Sequence, residues 1–253
     1  MTTNIALCLW GLPEPPASAT AYADAIGFDS VDVRPGYLEV AAADRVLPLS
    51  CMAVAHLMPE GAALDDVHSE ARQLAIAHVR QGIREAEQLG ITDVYVGPPS
   101  SDASDSMAAY RESILVLADQ SSCSGVRLGI EHFPGRGLPT VNATLDFISN
   151  VGHHNLYLLL DIGHNQIAGE SPRAAISAAG DRLMYVHVND NDGQNDTHAG
   201  LLEGVQGEAW LRDAVLAVKE STYAGPISVE VNQSLPDPRA SACESLAILR
   251  RLE

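Results

Sequence analysis

The sequence predicts a single (β/α)8 barrel spanning residues 1–253. Eight short apolar runs recur along the chain, amphipathic stretches separate most of them, and no linker or low-complexity segment divides the 253 residues. The apolar runs lie at 5–10, 31–34, 49–55, 93–96, 127–133, 156–162, 183–188 and 227–231. They are rich in β-branched residues or leucine and bounded by Gly, Pro, Asp or Asn, the pattern of strands buried on both faces.

The intervening stretches repeat apolar residues at helical spacing over 17–26, 64–89, 106–122, 142–151, 172–179, 208–221 and 238–252. Start and stop signals agree with these bounds. Gly27, Gly90, Gly152 and Gly180 follow four of them, Thr140 precedes another's first turn, and Pro172 opens one. The connection at 37–46 carries the faintest helical pattern. Buried strands joined by helical crossovers form a parallel sheet, and eight such units in this length close into a barrel. An open doubly wound sheet would place a Gly-rich fingerprint after the first strand. Trp10-Gly11-Leu12-Pro13 stands there instead.

Composition narrows the function classes. The formal net charge is −18, from 15 Lys and Arg against 33 Asp and Glu. Such a surface repels phosphate backbones and anionic lipid, so neither nucleic acid nor membrane is an expected partner. Phosphorylated substrates also find few cations. Cys8, Cys51, Cys123 and Cys243 form no CxxC, and three of them read as small core residues. With no basic leader and no apolar run of membrane-spanning length, a cytoplasmic location is the expectation.

On a barrel of this class, chemistry projects from the C-terminal strand ends. Those ends supply His56 on strand three, Glu131 and His132 on strand five, and Asp161 and His164 on strand six. Strand seven supplies His187, Asn189 and Asp190, and strand eight Glu230 and Asn232. Strand four ends in Val96-Gly97-Pro98, which offers no ligand. Glu131, Asp161, His187 and Glu230 each close a run of apolar residues. A charge in that position is costly unless paired or metal-bound. Singly, each also fits a solvated strand end or an ion pair. Together, three carboxylates converging on one mouth would repel one another. A divalent cation relieves that repulsion, and His187 adds an imidazole. The donor set suits one Mn, Co, Mg or Zn ion.

Gly129-Ile130-Glu131-His132, Leu160-Asp161-Ile162-Gly163-His164, Val186-His187-Val188-Asn189-Asp190 and Ile227-Ser228-Val229-Glu230-Val231 resemble the xylose-isomerase-like barrel superfamily. That superfamily holds sugar (phosphate) isomerases and epimerases, inosose dehydratases and family-2 AP endonucleases. The similarity runs over nearly the whole chain, and Asp161-Ile162-Gly163-His164 is its most specific element. For the sugar-epimerase branch the resemblance implies one metal on Glu131, Asp161, His187 and Glu230, with the two glutamates as the acid/base pair. The three-zinc pattern of the AP endonucleases is matched at His56, His164, Asp196 and His198, but its strand-four histidine is missing. Ketose 3-epimerases carry a substrate-holding arginine shortly after the strand-seven histidine. Residues 189–196 contain none, which argues against that particular activity.

The expected reaction is proton transfer at a carbon next to a carbonyl, with the metal as Lewis acid for the enediolate. Return of the proton to the same carbon epimerises a sugar or cyclitol, and return to its neighbour isomerises it. Loss of a β-substituent would instead make a lyase or dehydratase acting on a keto-sugar, inosose or oxidised C-glycoside. His164 is the third catalytic candidate. Trp10, His56, Arg136 and His198 are candidates for holding a small carbohydrate, and each also fits a wall, rim or loop position. A homo-oligomer, a partner subunit that completes the site and a non-catalytic barrel stay open.

Overall fold

The computed structural model describes residues 3–40 and 46–252. Eight parallel strands close in sequence order: β1 (Ile5–Cys8), β2 (Ser30–Val33), β3 (Leu49–Ala53), β4 (Asp93–Val96), β5 (Arg127–Glu131), β6 (Leu156–Asp161), β7 (Leu183–Val188) and β8 (Ile227–Val229). The ring closes where β8 pairs with β1. Among the described residues the helices are α1 (Pro16–Ile26), α2 (Tyr37–Val40), α3 (Ser69–Leu89), α4 (Ser104–Cys123), α5 (Val141–Val151), α6 (Ile162–Ala168), α7 (Pro172–Ala179), α8 (Glu208–Glu220) and α9 (Pro238–Leu252). The (β/α)8 barrel predicted from periodicity is the observed architecture.

The differences have local causes. Strand six stops at Asp161 because its side chain accepts a hydrogen bond from the His164 N–H (3.1 Å), capping α6, a helix the sequence pattern did not reveal. The predicted helix 64–89 begins only at Ser69. Ahead of it, Asp66 accepts from the His68 N–H (2.7 Å), and Asp65 accepts from the Ser100 N–H (2.7 Å). These carboxylates offer the backbone a turn in place of a helix. In the 37–46 connection α2 is a single turn, and 41–45 lie outside the described residues.

Side chains alternate across each strand. On β2, Val31 and Val33 join the large apolar layer between barrel and helices. Cys51, Ala53, Tyr95, Leu159, Met184 and Tyr185 fill the barrel interior. Cys8 and Cys51 are buried, whereas Cys123 and Cys243 are exposed on α4 and α9. The expectation of three core cysteines is therefore corrected: an apolar stretch that forms a helix still has a solvent face. No helix among the described residues is long and apolar enough to cross a membrane.

Candidate active site

Consecutive strands β5 to β8 bring Glu131, Asp161, His187 and Glu230 to one end of the barrel. One ligand-type atom from each lies within 4.8 Å of the others. His187 Nδ1 is 3.0 Å from Glu230 Oε2 and 3.9 Å from Glu131 Oε1. Among the described residues no Lys or Arg pairs with these carboxylates. Their basic neighbours are histidines. His187 Nδ1 is buried without a hydrogen-bond partner. Buried carboxylates converging on an imidazole nitrogen, with only histidines as basic neighbours, fit a divalent cation.

The Asp161-Ile162-Gly163-His164 element has a physical reading. Asp161 ends β6 and caps α6, and its second oxygen accepts from Asn189 Nδ2 (2.8 Å). Asn191 Nδ2 donates to the Gly163 carbonyl (2.9 Å). A Cβ on Gly163 would stand 1.9 Å from Asn189 Oδ1, so only glycine lets the β7 loop approach. Gly163→Ala is expected to push Asn189 off Asp161. Mn2+ affinity, read by titration calorimetry, should drop by about tenfold or more, as for loss of an outer hydrogen-bond partner. Unchanged affinity would show that Asn189 does not orient Asp161.

The histidines divide into two groups. His164 Nδ1 lies 2.8 Å from the His132 carbonyl, so Nδ1 carries a proton and Nε2 faces Asp196 Oδ2 at 3.3 Å. His198 Nε2 lies 3.3 Å from that same oxygen and 3.6 Å from Glu230 Oε2. The loop carrying His198 is pinned by the Asn232 N–H, which donates to the His198 carbonyl (2.8 Å). His132, by contrast, points behind the strand end, with Nε2 3.1 Å from the Asp161 carbonyl. Asp190 accepts from the Gly204 and Gln206 N–H groups (2.9 and 3.0 Å) and shapes the loop. Both are scaffold.

Burial pushes Glu131 up to about 7, with His164 opposing and Glu230 adding to the rise. Burial acts on Glu230 too, but His198, His187 and the Trp10 indole N–H (2.7 Å) hold its carboxyl well below the usual range. His164 and His187 reach about 10 and about 9: burial opposes their charge, and the surrounding carboxylates overcome it. His56 goes the other way. Burial lowers it to about 4, leaving a neutral ring edge-on to Trp10 at 5.1 Å.

Two adjoining cavities of about 330 and 270 Å³ open over these groups and share His56, Tyr95, Glu131 and Phe133. Trp10, His164, His198 and Glu230 line the smaller. Arg136 stands on the rim of the larger, over the Phe133 ring at 5.0 Å. Glu131 and Glu230 face this space, while Asp161 and His187 sit behind them and are fully buried. The sequence-predicted site residues other than His132 and Asp190 therefore gather at one mouth.

Strand-end reasoning missed Arg34, Tyr95 and Asp32. Tyr95 packs edge-on to His187 at 5.3 Å. Asp32 is wholly buried inside the barrel and accepts from the hydroxyls of Ser50 (2.6 Å), Tyr185 (2.5 Å) and Ser228 (2.5 Å). Its Oδ2 lies 3.8 Å from His187 Nε2, on the far side of that ring from Glu230. The signal was present as an acidic residue inside an apolar run. The β2–β3 register shifts between Val31 and Asp32, an irregularity common beside functional sites.

A family model described as xylose isomerase-like TIM barrel matches residues 21–252. The chain belongs to this family. Among the relatives, the L-ribulose 3-epimerase of Methylomonas sp. strain DH-1 is 29% identical over 163 residues, covering 62% of this chain and 52% of that one. The inosose dehydratase of Lacticaseibacillus casei is 26% identical over 131 residues, covering 46% and 44%. The matched segments thus span about half of these relatives. The 3-keto-D-glucoside 4-epimerase of E. coli superposes with a TM-score of 0.82 at 17% identity, covering 99% of this chain and 100% of that one. Sequence relatives thus include a sugar epimerase and an inosose dehydratase.

Proposed function

We propose that the chain is a divalent-metal-dependent epimerase or isomerase of a sugar or cyclitol ketone, acting by proton transfer next to the carbonyl. One observation carries this reading: of the four clustered residues, Glu131 and Glu230 also line the cavity. They alone of the four reach both a bound ion and a substrate. Glu131, Asp161, His187 and Glu230 would hold the ion, which would supply Lewis acidity at the substrate carbonyl.

The chain's own residues supply the rest. Glu131 and Glu230 enter from β5 and β8 and flank the reacting carbon. Their surroundings drive them apart, Glu131 toward the acid and Glu230 toward the carboxylate, as an acid/base pair requires. The Trp10 indole N–H fixes the rotamer of Glu230. His164 and His198 stand where substrate oxygens would accept from them, and Arg136 closes the rim. The likeness to inosose dehydratases favours a second reading, in which the same proton removal expels a β-hydroxyl.

The test is incubation of the Mn2+-loaded protein with ketohexoses and inososes in heavy water, followed by NMR. Epimer or isomer with solvent deuterium next to the carbonyl is the expected result. An unsaturated or diketone product would establish the dehydratase reading. Abasic duplex DNA in parallel is expected to stay intact, given the net charge of −18. Metal-dependent nicking, abolished by Glu131→Gln, would replace both readings with phosphodiester hydrolysis.

A further inference from the structure

We propose that Arg34 anchors a carboxylate on the substrate, so that this site takes an acidic keto-sugar in preference to a neutral one. The inference rests on the epimerase reading and adds the substrate class to it.

The first observation is direction. On β2, Asp32 points into the barrel, where it meets Tyr185 and Ser228, while Val31 and Val33 point outward into the helical layer. Strand alternation carries Arg34, two residues on from Asp32, to the inner face at the mouth. It lines the same cavity as Trp10, His56, Glu131 and Glu230.

The second observation is that this guanidinium has no hydrogen-bond or ion-pair partner among the described residues. In a chain with 33 acidic residues against 15 basic ones, that is conspicuous. Arg72, Arg127, Arg173 and Arg250 each engage a carboxylate. Arg34 is half-buried, and its burial disfavours the charge it carries. A cation kept partly desolvated and unpaired inside a cavity is a receptor for an anion.

The third observation is placement. In a ring closed in the order β1 to β8, β2 stands across from β6, where Asp161 holds its place in the carboxylate cluster. An anion on Arg34 therefore lies on the opposite wall from Asp161, in the cavity that Glu131 and Glu230 also line. The neighbouring His56 is neutral and adds no second positive charge there. One planar fork matches a singly charged carboxylate bidentately. A dianionic phosphate meets stronger repulsion from a chain whose net charge is −18.

The experiment is titration calorimetry of the Mn2+-loaded protein with three matched probes: D-fructose, D-fructuronate and D-fructose 6-phosphate. Fructuronate is expected to bind at least about tenfold more tightly than fructose, and the phosphate no more tightly than fructuronate. In Arg34→Gln, with its melting temperature unchanged, the fructuronate-to-fructose ratio should fall to within about twofold. If that variant does not fold, Arg34→Lys carries the test: it keeps the charge, loses the fork and should lower the ratio several-fold. Equal binding of fructose and fructuronate, tightest binding of the phosphate, no detectable binding of fructuronate, or a ratio that survives in the folded variant would each overturn the inference. Proton exchange, followed separately by NMR, keeps the two readings distinct. Exchange without carboxylate preference sinks the anchor alone. Preference without exchange sinks the epimerase reading alone.

Discussion

Glu230→Gln is expected to lower turnover of a true substrate by about a hundredfold to ten-thousandfold, the usual range for loss of a positioned acid or base. Glutamine keeps an oxygen for the Trp10 indole and for a cation, but it cannot carry a proton. The loss should therefore fall on kcat, while Mn2+ binding weakens far less. Glu131→Gln should behave alike, because both carboxylates line the cavity and both belong to the four-residue cluster. Initial rates by NMR, set beside metal titrations of each variant, measure the split. A primary isotope effect with substrate deuterated at the reacting carbon would place C–H cleavage in the rate-limiting step. The acid/base assignment fails if both variants, folded and metal-loaded, keep near-wild-type turnover. The base would then be sought elsewhere, first at His164.

Metal removal is expected to have the largest effect on stability. A cation that binds only the folded chain adds about 2.7 kcal/mol at a hundred times its Kd. For a chain of this size that corresponds to roughly 5–10 °C in melting temperature. Excess Mn2+ should raise the melting point of chelator-stripped protein by that amount. Asp161→Asn should remove most of the gain, because Asp161 is fully buried and sits among the converging donors. The measurement is a thermal melt of both proteins with and without Mn2+. An equal rise in Asp161→Asn would take Asp161 out of the ligand set. No rise in either, together with no metal found by elemental analysis, would remove the metal from the proposed function.

Much of the barrel was legible because strands buried on both faces leave apolar runs and the helices between them leave a 3.6-residue period. Strand ends were less legible. At Asp161 a single side-chain hydrogen bond turns strand into helix, and hydropathy does not register it. The start of α3 moved for a similar reason, since Asp65 and Asp66 bind backbone N–H groups in a turn. Glu131, Asp161, His187 and Glu230 were found because each breaks an apolar run at its end. Asp32 was missed because it breaks a run in its middle, where the same reasoning expects no chemistry. Arg34 was missed because a basic residue closing a strand looks like any solvated end.

The sequence by itself determined the strand order, most of the helices, the barrel class, the acidic balance and the identity of the four clustered residues. Those follow from local periodicity and from the cost of placing charge beside apolar residues. Only the tertiary structure decided which members of the cluster line the cavity and which stand behind them. It alone showed that Asn189 needs the missing side chain at Gly163, and that His164 and His198 share one oxygen of Asp196. Each of these depends on side-chain contacts between neighbouring strand ends and loops, brought together by strand pairing such as that of β6 with β7. Local pattern carries no record of such distances, because packing fixes them only once the whole barrel has closed.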